Sequence, residues 1–157
     1  MAVSLQAEPT APAGELVPSP YRVVRRRRET EDTWTLELVA VDGETLAARP
    51  GQFTMLYAFG VGEVPISVSG DADRSGMLVQ TIRAVGAVTE ALCAARPGDV
   101  VGVRGPYGNA WPLEQAVDGD LVIAGGGVGL APVRGAIYHA LSHRDDYGQV
   151  SVLVGDA

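Results

Sequence analysis

With 157 residues, 46% hydrophobic and 20% charged, the chain can form one domain, or one domain plus a piece of another, around a sizeable core. Nineteen acidic against twelve basic residues leave a net charge of −7, which argues against nucleic acid as a partner. A single cysteine, Cys93, excludes a disulfide framework or a cysteine-ligated cluster within the chain. No apolar run approaches a membrane span, and the N-terminus lacks the charged and apolar regions of a secretory signal.

Residues 1–16, rich in Ala, Pro, Glu and Ser without periodicity, read as a disordered or loosely attached tail. Tyr21 to Glu29 then carries Tyr, two valines and four consecutive arginines, Arg25 to Arg28. In an acidic chain these read as solvated side chains on a strand edge, some paired with Glu29, Glu31 and Asp32. Thr33 to Val39 alternates as a half-buried strand does. Turns at Asp42-Gly43-Glu44 and Arg49-Pro50-Gly51-Gln52 lead to a strand from Phe53 to Ala58, closed by Gly60 and Gly62. Val64 to Ser69 and Met77 to Arg83 are further strands, separated by the turn Gly70-Asp71-Ala72-Asp73. One helix, Val85 to Leu92, interrupts them before a strand from Val100 to Arg104 and a turn at Gly105-Pro106-Tyr107-Gly108-Asn109. Twenty glycines, ten prolines and short strands at roughly ten-residue spacing predict a small antiparallel barrel or sandwich. Trp34 and Trp111 read as core aromatics.

From Ala110 to Gly119 the composition is loop-like. The stretch Asp120 to Pro132 follows: an apolar run of strand length, four glycines within five positions, and a helix predicted from Leu130 to Ser142. Val133, Ile137 and Leu141 fall at i, i+4 and i+8 on one face of that helix. Val150 to Val154 is a second apolar strand suited to parallel pairing with Leu121 to Ala124, giving one βαβ unit. The glycines fit a tight turn against a helix N-terminus, where a ligand's phosphates or ring can approach the backbone. They do not fit G-x-G-x-x-G: the register from Gly125 ends on Leu130, and that from Gly127 ends on Pro132. No Gly-Lys-Ser/Thr ending is present, which excludes a P-loop. His139 and His143, four apart on the helix, read as a solvated helix end rather than metal ligands, and no metal site is assigned.

Four segments in fixed order carry a resemblance: Pro65-Ile66-Ser67-Val68-Ser69, Gly86-Ala87-Val88-Thr89, Gly105-Pro106-Tyr107-Gly108 and Gly126-Gly127-Val128-Gly129-Leu130-Ala131-Pro132. From Tyr21 onward the sequence resembles the ferredoxin–NAD(P) reductase superfamily. Within it, the chain is similar to FAD-binding subunits of cytoplasmic hydrogenase (sulfhydrogenase gamma) and anaerobic sulfite reductase, and to the dihydroorotate dehydrogenase electron-transfer subunit. The resemblance implies an antiparallel Greek-key FAD-binding β-barrel over residues 17–112. It implies an incomplete α/β NAD(P)-binding domain over residues 118–157, after the tail at 1–16.

The resemblance further implies that Pro65, Ile66, Ser67 and Val68 line the flavin, with the Ser67 hydroxyl at the flavin atom that receives hydride. In the family motif R-x-Y-S/T the arginine falls on Val64 here and the aromatic on Ile66, so a charge that neutralises the pyrophosphate and a stacking ring are both missing. Gly86, Ala87, Val88 and Thr89 would receive phosphate oxygens at the positive end of a helix dipole. Tyr107 is either core or cofactor-facing. Gly126, Gly127, Val128, Gly129 and Pro132 would face NAD(P)H, which the protein holds against the flavin. The implied activity is that of a cytoplasmic FAD-dependent NAD(P)H oxidoreductase subunit, passing electrons to an iron–sulfur or hydrogenase-type partner subunit without nucleic acid or membrane involvement. The further βα units that complete the family's nicotinamide domain lie beyond this chain, and Asp156 reads as a solvated terminus rather than a ribose ligand. A second reading is a non-catalytic partner-binding module or truncated flavin domain without nicotinamide activity.

Overall fold

Alternation in β3 (Phe53–Ala58) turns Thr54, Leu56 and Ala58 inward and leaves Phe53, Met55 and Tyr57 half-exposed. The same period puts Thr33, Thr35, Leu36 and Leu38 of β2 (Thr33–Ala40) and Leu78, Gln80 and Ile82 of β5 (Leu78–Arg83) under cover. The structure, a computed structural model, describes residues 17–72 and 76–155; the N-terminal tail and Asp156 lie outside them. With β1 (Ser19–Arg28), β4 (Gly62–Ser67) and β6 (Val100–Tyr107), these strands form one antiparallel sheet in the order β4-β3-β6-β1-β2-β5. Its inner face buries Val23, Leu36, Leu38, Leu56, Leu78, Ile82, Val101 and Val103. Helix α1 (Ala87–Ala94) adds Leu92 and Cys93 to this core.

The ladder does not close on itself. Between β4 and β5 only an isolated bridge, Val68 to Gln80, and the Ser69 N–H to Val79 C=O bond (2.9 Å) join the edges. The Gln80 side chain spans the gap, its amide nitrogen donating to Thr54 Oγ1 at 2.7 Å and to the Ile66 carbonyl at 3.0 Å.

The second unit is a parallel pair, β7 (Leu121–Gly126) and β8 (Val150–Gly155), in register from Leu121–Val150 to Gly126–Gly155. Helix α2 (Leu130–Ser142) joins them and packs Val133 and Ile137 on Ile123, Leu121 and Leu113. The βαβ unit and the helix bounds are those the periodicity predicts.

β1 lies between β6 and β2 only over Ser19 to Arg22; its arginine half, Arg25 to Arg28, pairs with β2 alone, so that half is the strand edge the sequence suggests and its first half is interior. Three local expectations are corrected. Gly105, Pro106 and Tyr107 continue β6 instead of turning, because Phe53 and Tyr107 remain paired after an irregularity in the β3–β6 ladder. Gly62 opens β4 rather than closing β3. Leu141 is 64% exposed and Trp111 44% exposed, so neither belongs to a core.

Candidate functional site

The N-terminus of α1 is built by one hydroxyl. Thr89 Oγ1 accepts the N–H groups of Val85 (2.9 Å) and Gly86 (3.0 Å) and donates to the Gly86 carbonyl (2.9 Å). The first helical bond runs from Glu90 N–H to Gly86 C=O at 2.8 Å. The N–H groups of Ala87, Val88 and Thr89 precede it and have no helical acceptor. Gly86 has φ −179°, which any residue adopts, and a Cβ built there meets nothing within 4 Å. Neither backbone nor packing requires a glycine at this point. This cradle fits a cofactor pyrophosphate.

β4 reaches the same place. A Cβ on Gly62 would lie 3.2 Å from Val88 Cγ2, so the strand starts against the first turn of α1. Ser67 sits half-buried at its far end, opposite Phe53. Pro65 is exposed opposite Met55. Ile66 and Val64 pack partly on the core, and Val68 is 7% exposed, so at Val68 only the backbone can face a ligand. Tyr107 is half-buried with its ring 5.8 Å from that of Phe53, and its hydroxyl receives Arg104 Nη1 at 3.4 Å.

The glycine turn divides into two kinds of position. A Cβ at Gly125 would lie 3.2 Å from the Gly129 carbonyl and from Val133 Cγ2, so this glycine permits the strand and helix to pack closely. At Gly129 nothing lies within 4 Å, and at Gly126 the nearest atom is 3.6 Å away. Those two, with Gly127 at φ +52° and the exposed Val128, present open backbone. Of the four, Gly127 and Val128 line a cleft of about 430 Å³ whose other wall is Arg27, Glu29, Thr30, Thr33 and Thr81 of the first unit, whereas Gly126 lies on the β8 side of the turn with Val152 to Gly155. Ser67 does not line that cleft. Ser69, two residues on, reaches its rim, with Oγ 2.9 Å from Thr81 Oγ1.

Three residues whose contacts sequence reasoning missed, Gly135, Trp111 and Arg134, hold α2 in place. Gly135 abuts Pro50 and the Gly70 carbonyl, each within 3.3 Å of where its Cβ would be. Trp111 Nε1 donates to the Pro132 carbonyl at 3.1 Å. Arg134 Nη1 lies 3.4 Å from Thr81 Oγ1 and its Nη2 donates to the Tyr138 hydroxyl at 2.9 Å. A glycine in a helix interior costs about 1 kcal/mol against alanine, which is the one signal that could have marked Gly135 as a contact point.

Thr81 is the hub of this face. Its hydroxyl is 2.9 Å from both Thr35 Oγ1 and Ser69 Oγ, and Thr35 Oγ1 donates to Glu29 Oε1. Burial pushes the Glu29 carboxyl up. The hydrogen bonds from Thr35 and Arg27 and the charges of Arg27 and Arg134 outweigh burial, and the group is held below its ordinary value. Burial lifts the Cys93 thiol to about 11, so it is a packed, unreactive side chain. His139 and His143 stack at 4.2 Å, and no cluster of three metal-ligating side chains exists among the described residues.

An open antiparallel sheet with a phosphate-ready helix start, followed by a βαβ unit whose glycine turn faces it, is the architecture of the FAD/NAD-binding reductases. A cytochrome P450 reductase from Amycolatopsis superposes with a TM-score of 0.75 over 88% of this chain and 43% of that one, at 29% identity. Phthalate dioxygenase reductase, described as modular for electron transfer from pyridine nucleotides to [2Fe–2S], shares the fold with a TM-score of 0.71 at 18% identity, over 87% of this chain and 42% of that one.

Among curated proteins, the chain is 41% identical over 105 residues to sulfhydrogenase 1 subunit gamma of Pyrococcus furiosus, covering 67% of this chain and 36% of the relative. It is 44% identical over 116 residues to the probable dihydroorotate dehydrogenase B electron transfer subunit of Methanopyrus kandleri, covering 74% of this chain and 42% of the relative. The chain thus spans about two fifths of the length of these relatives. No protein-family model matches it. The resemblance to the ferredoxin–NAD(P) reductase superfamily holds in both sequence and fold.

Proposed function

We propose that this chain carries the flavin-binding part of a cytoplasmic electron-transfer oxidoreductase, taking electrons from NAD(P)H through FAD to an iron–sulfur or hydrogenase-type partner subunit. The observation that carries the reading is Gly86: a glycine that neither its backbone angles nor its neighbours require, set before three N–H groups without helical acceptors. In this reading Ala87, Val88 and Thr89 bind the FAD pyrophosphate, and Thr89 fixes the turn that aims them. The backbone of Pro65 to Val68 lines the isoalloxazine, and the Ser67 hydroxyl hydrogen-bonds the atom that gains or loses hydride. Gly126, Gly127, Val128, Gly129 and Pro132 form the lip that admits the nicotinamide. Bound flavin supplies the conversion of a two-electron donor into single electrons, and the protein supplies position.

A narrower reading, a flavin-holding or partner-holding module without nicotinamide turnover, draws on Val64, which packs on the core where the family motif has an arginine. Purified protein reconstituted with FAD tests both. A bound flavin spectrum supports the flavin reading, and protein that stays colourless with excess FAD overturns it. Rapid, saturable bleaching by NADH then excludes the narrower reading.

A further inference from the structure

Three arginines of β1 and β5 meet carboxylates. Arg25 is 3.6 Å from Glu37, Arg27 is 2.6 Å from Glu29, and Arg83 is 2.6 Å from Asp32. Arg134 comes to these strands from α2 and is held differently. Its two recorded hydrogen-bond partners are neutral hydroxyls, those of Thr81 and Tyr138, and the guanidinium carbon stands 5.6 Å from the Tyr138 ring. It lines the cleft together with Gly127, Val128 and Thr81. Its charge is therefore placed without being neutralised at contact, and it still reaches far enough to hold down the Glu29 carboxyl.

Position selects what that charge serves. Arg134 lies one turn along α2 from the glycine turn, so it stands behind the helix start where phosphates gather. Its hydrogen bond to Thr81, whose hydroxyl is also 2.9 Å from Ser69 Oγ, sets it close to the end of β4 that carries Ser67. A guanidinium keeps its charge at all working pH values, and its planar fork suits a delocalised oxyanion.

We propose that Arg134 is a charge partner of the flavin, a fixed positive charge at the edge of the cleft that favours the reduced over the oxidised ring; this rests on the flavin reading above. Thr81 and Tyr138 orient the guanidinium, and Gly135, packed on Pro50 and Gly70, fixes the helix that carries it. The group favours reduced over oxidised flavin and leaves the affinity for oxidised FAD nearly unchanged.

The test is spectroelectrochemical titration of the FAD-loaded chain as wild type, Arg134→Gln, Arg134→Lys and Thr81→Val. Arg134→Gln is expected to lower the ratio of reduced to oxidised FAD affinity about tenfold, equivalent to about 1.4 kcal/mol, seen as a more negative midpoint potential. Arg134→Lys keeps the charge and recovers most of that ratio. Thr81→Val keeps the charge but loosens its position, and recovers part. An unchanged potential in Arg134→Gln overturns the proposal. So does a loss of oxidised-FAD or NADH affinity at constant potential, which would make the residue a phosphate anchor or a scaffold. Wild-type protein that binds no FAD overturns the flavin reading itself, before any variant is compared.

Discussion

Replacing Gly86 by alanine separates a ligand's requirement from the fold's. The added methyl meets no atom within 4 Å, and φ −179°, ψ 175° is open to any residue. Two small opposing terms remain for the free protein. Alanine reduces the freedom of the unfolded chain, worth about 0.4–1 kcal/mol. It is also a poorer helix N-cap than glycine, by about 0.5–1 kcal/mol. They cancel to within about 0.5 kcal/mol, so the midpoint of thermal unfolding should move by no more than about 3 °C. In the flavin reading, a phosphate on the Ala87, Val88 and Thr89 N–H groups uses the open space beside Gly86 that the methyl fills. The FAD dissociation constant should rise at least about tenfold, or about 1.4 kcal/mol. Circular dichroism of the FAD-free protein and titration of flavin fluorescence measure the two quantities. Unchanged FAD affinity would refute the cradle, and a steep loss of stability in the free protein would show the glycine to be structural.

Three further outcomes follow from the same geometry. Gly125→Ala forces a methyl to 3.2 Å from the Gly129 carbonyl and Val133, and should destabilise the βαβ unit by about 1–3 kcal/mol in urea unfolding. Gly129→Ala, with open space at its Cβ, should stay within about 0.5 kcal/mol of wild type; equal losses in both would contradict the division of the turn. Thr89→Val removes the hydroxyl that receives two N–H groups, and should cost about 1–2 kcal/mol in denaturant unfolding and weaken FAD binding, both largely restored by Thr89→Ser. Hydrogen bonds from Arg83, Thr30 and Thr33 hold the Asp32 carboxyl at about 2, below its ordinary 3.8. Since the folded value is the lower one, the Asp32 contribution is present above pH 3.8 and lost as pH falls toward 2. Asp32→Asn should therefore flatten the decline in stability between those values, and an unaltered acid profile would show the exposed pair to be inert.

The sequence by itself determined the elements and their order, because the period of apolar residues is local information. The bounds of β3 and α2 and the parallel pairing of β7 with β8 could all be read from spacing. The motif segments were legible through their resemblance to a known family and not through spacing alone. What only the tertiary structure decided is which long-range neighbours those elements find. That the first half of β1 is interior depends on β6 returning to pair with it some eighty residues later, which no local pattern records. That Gly86 and Gly129 stand in open space while Gly125 and Gly135 are wedged against neighbours depends on atoms far away in the chain. Nothing in the local sequence marks Arg134. It acquires its place only because α2 is pressed onto Thr81 by Gly135 and Trp111, so that its charge is aimed by packing and not by its own local sequence.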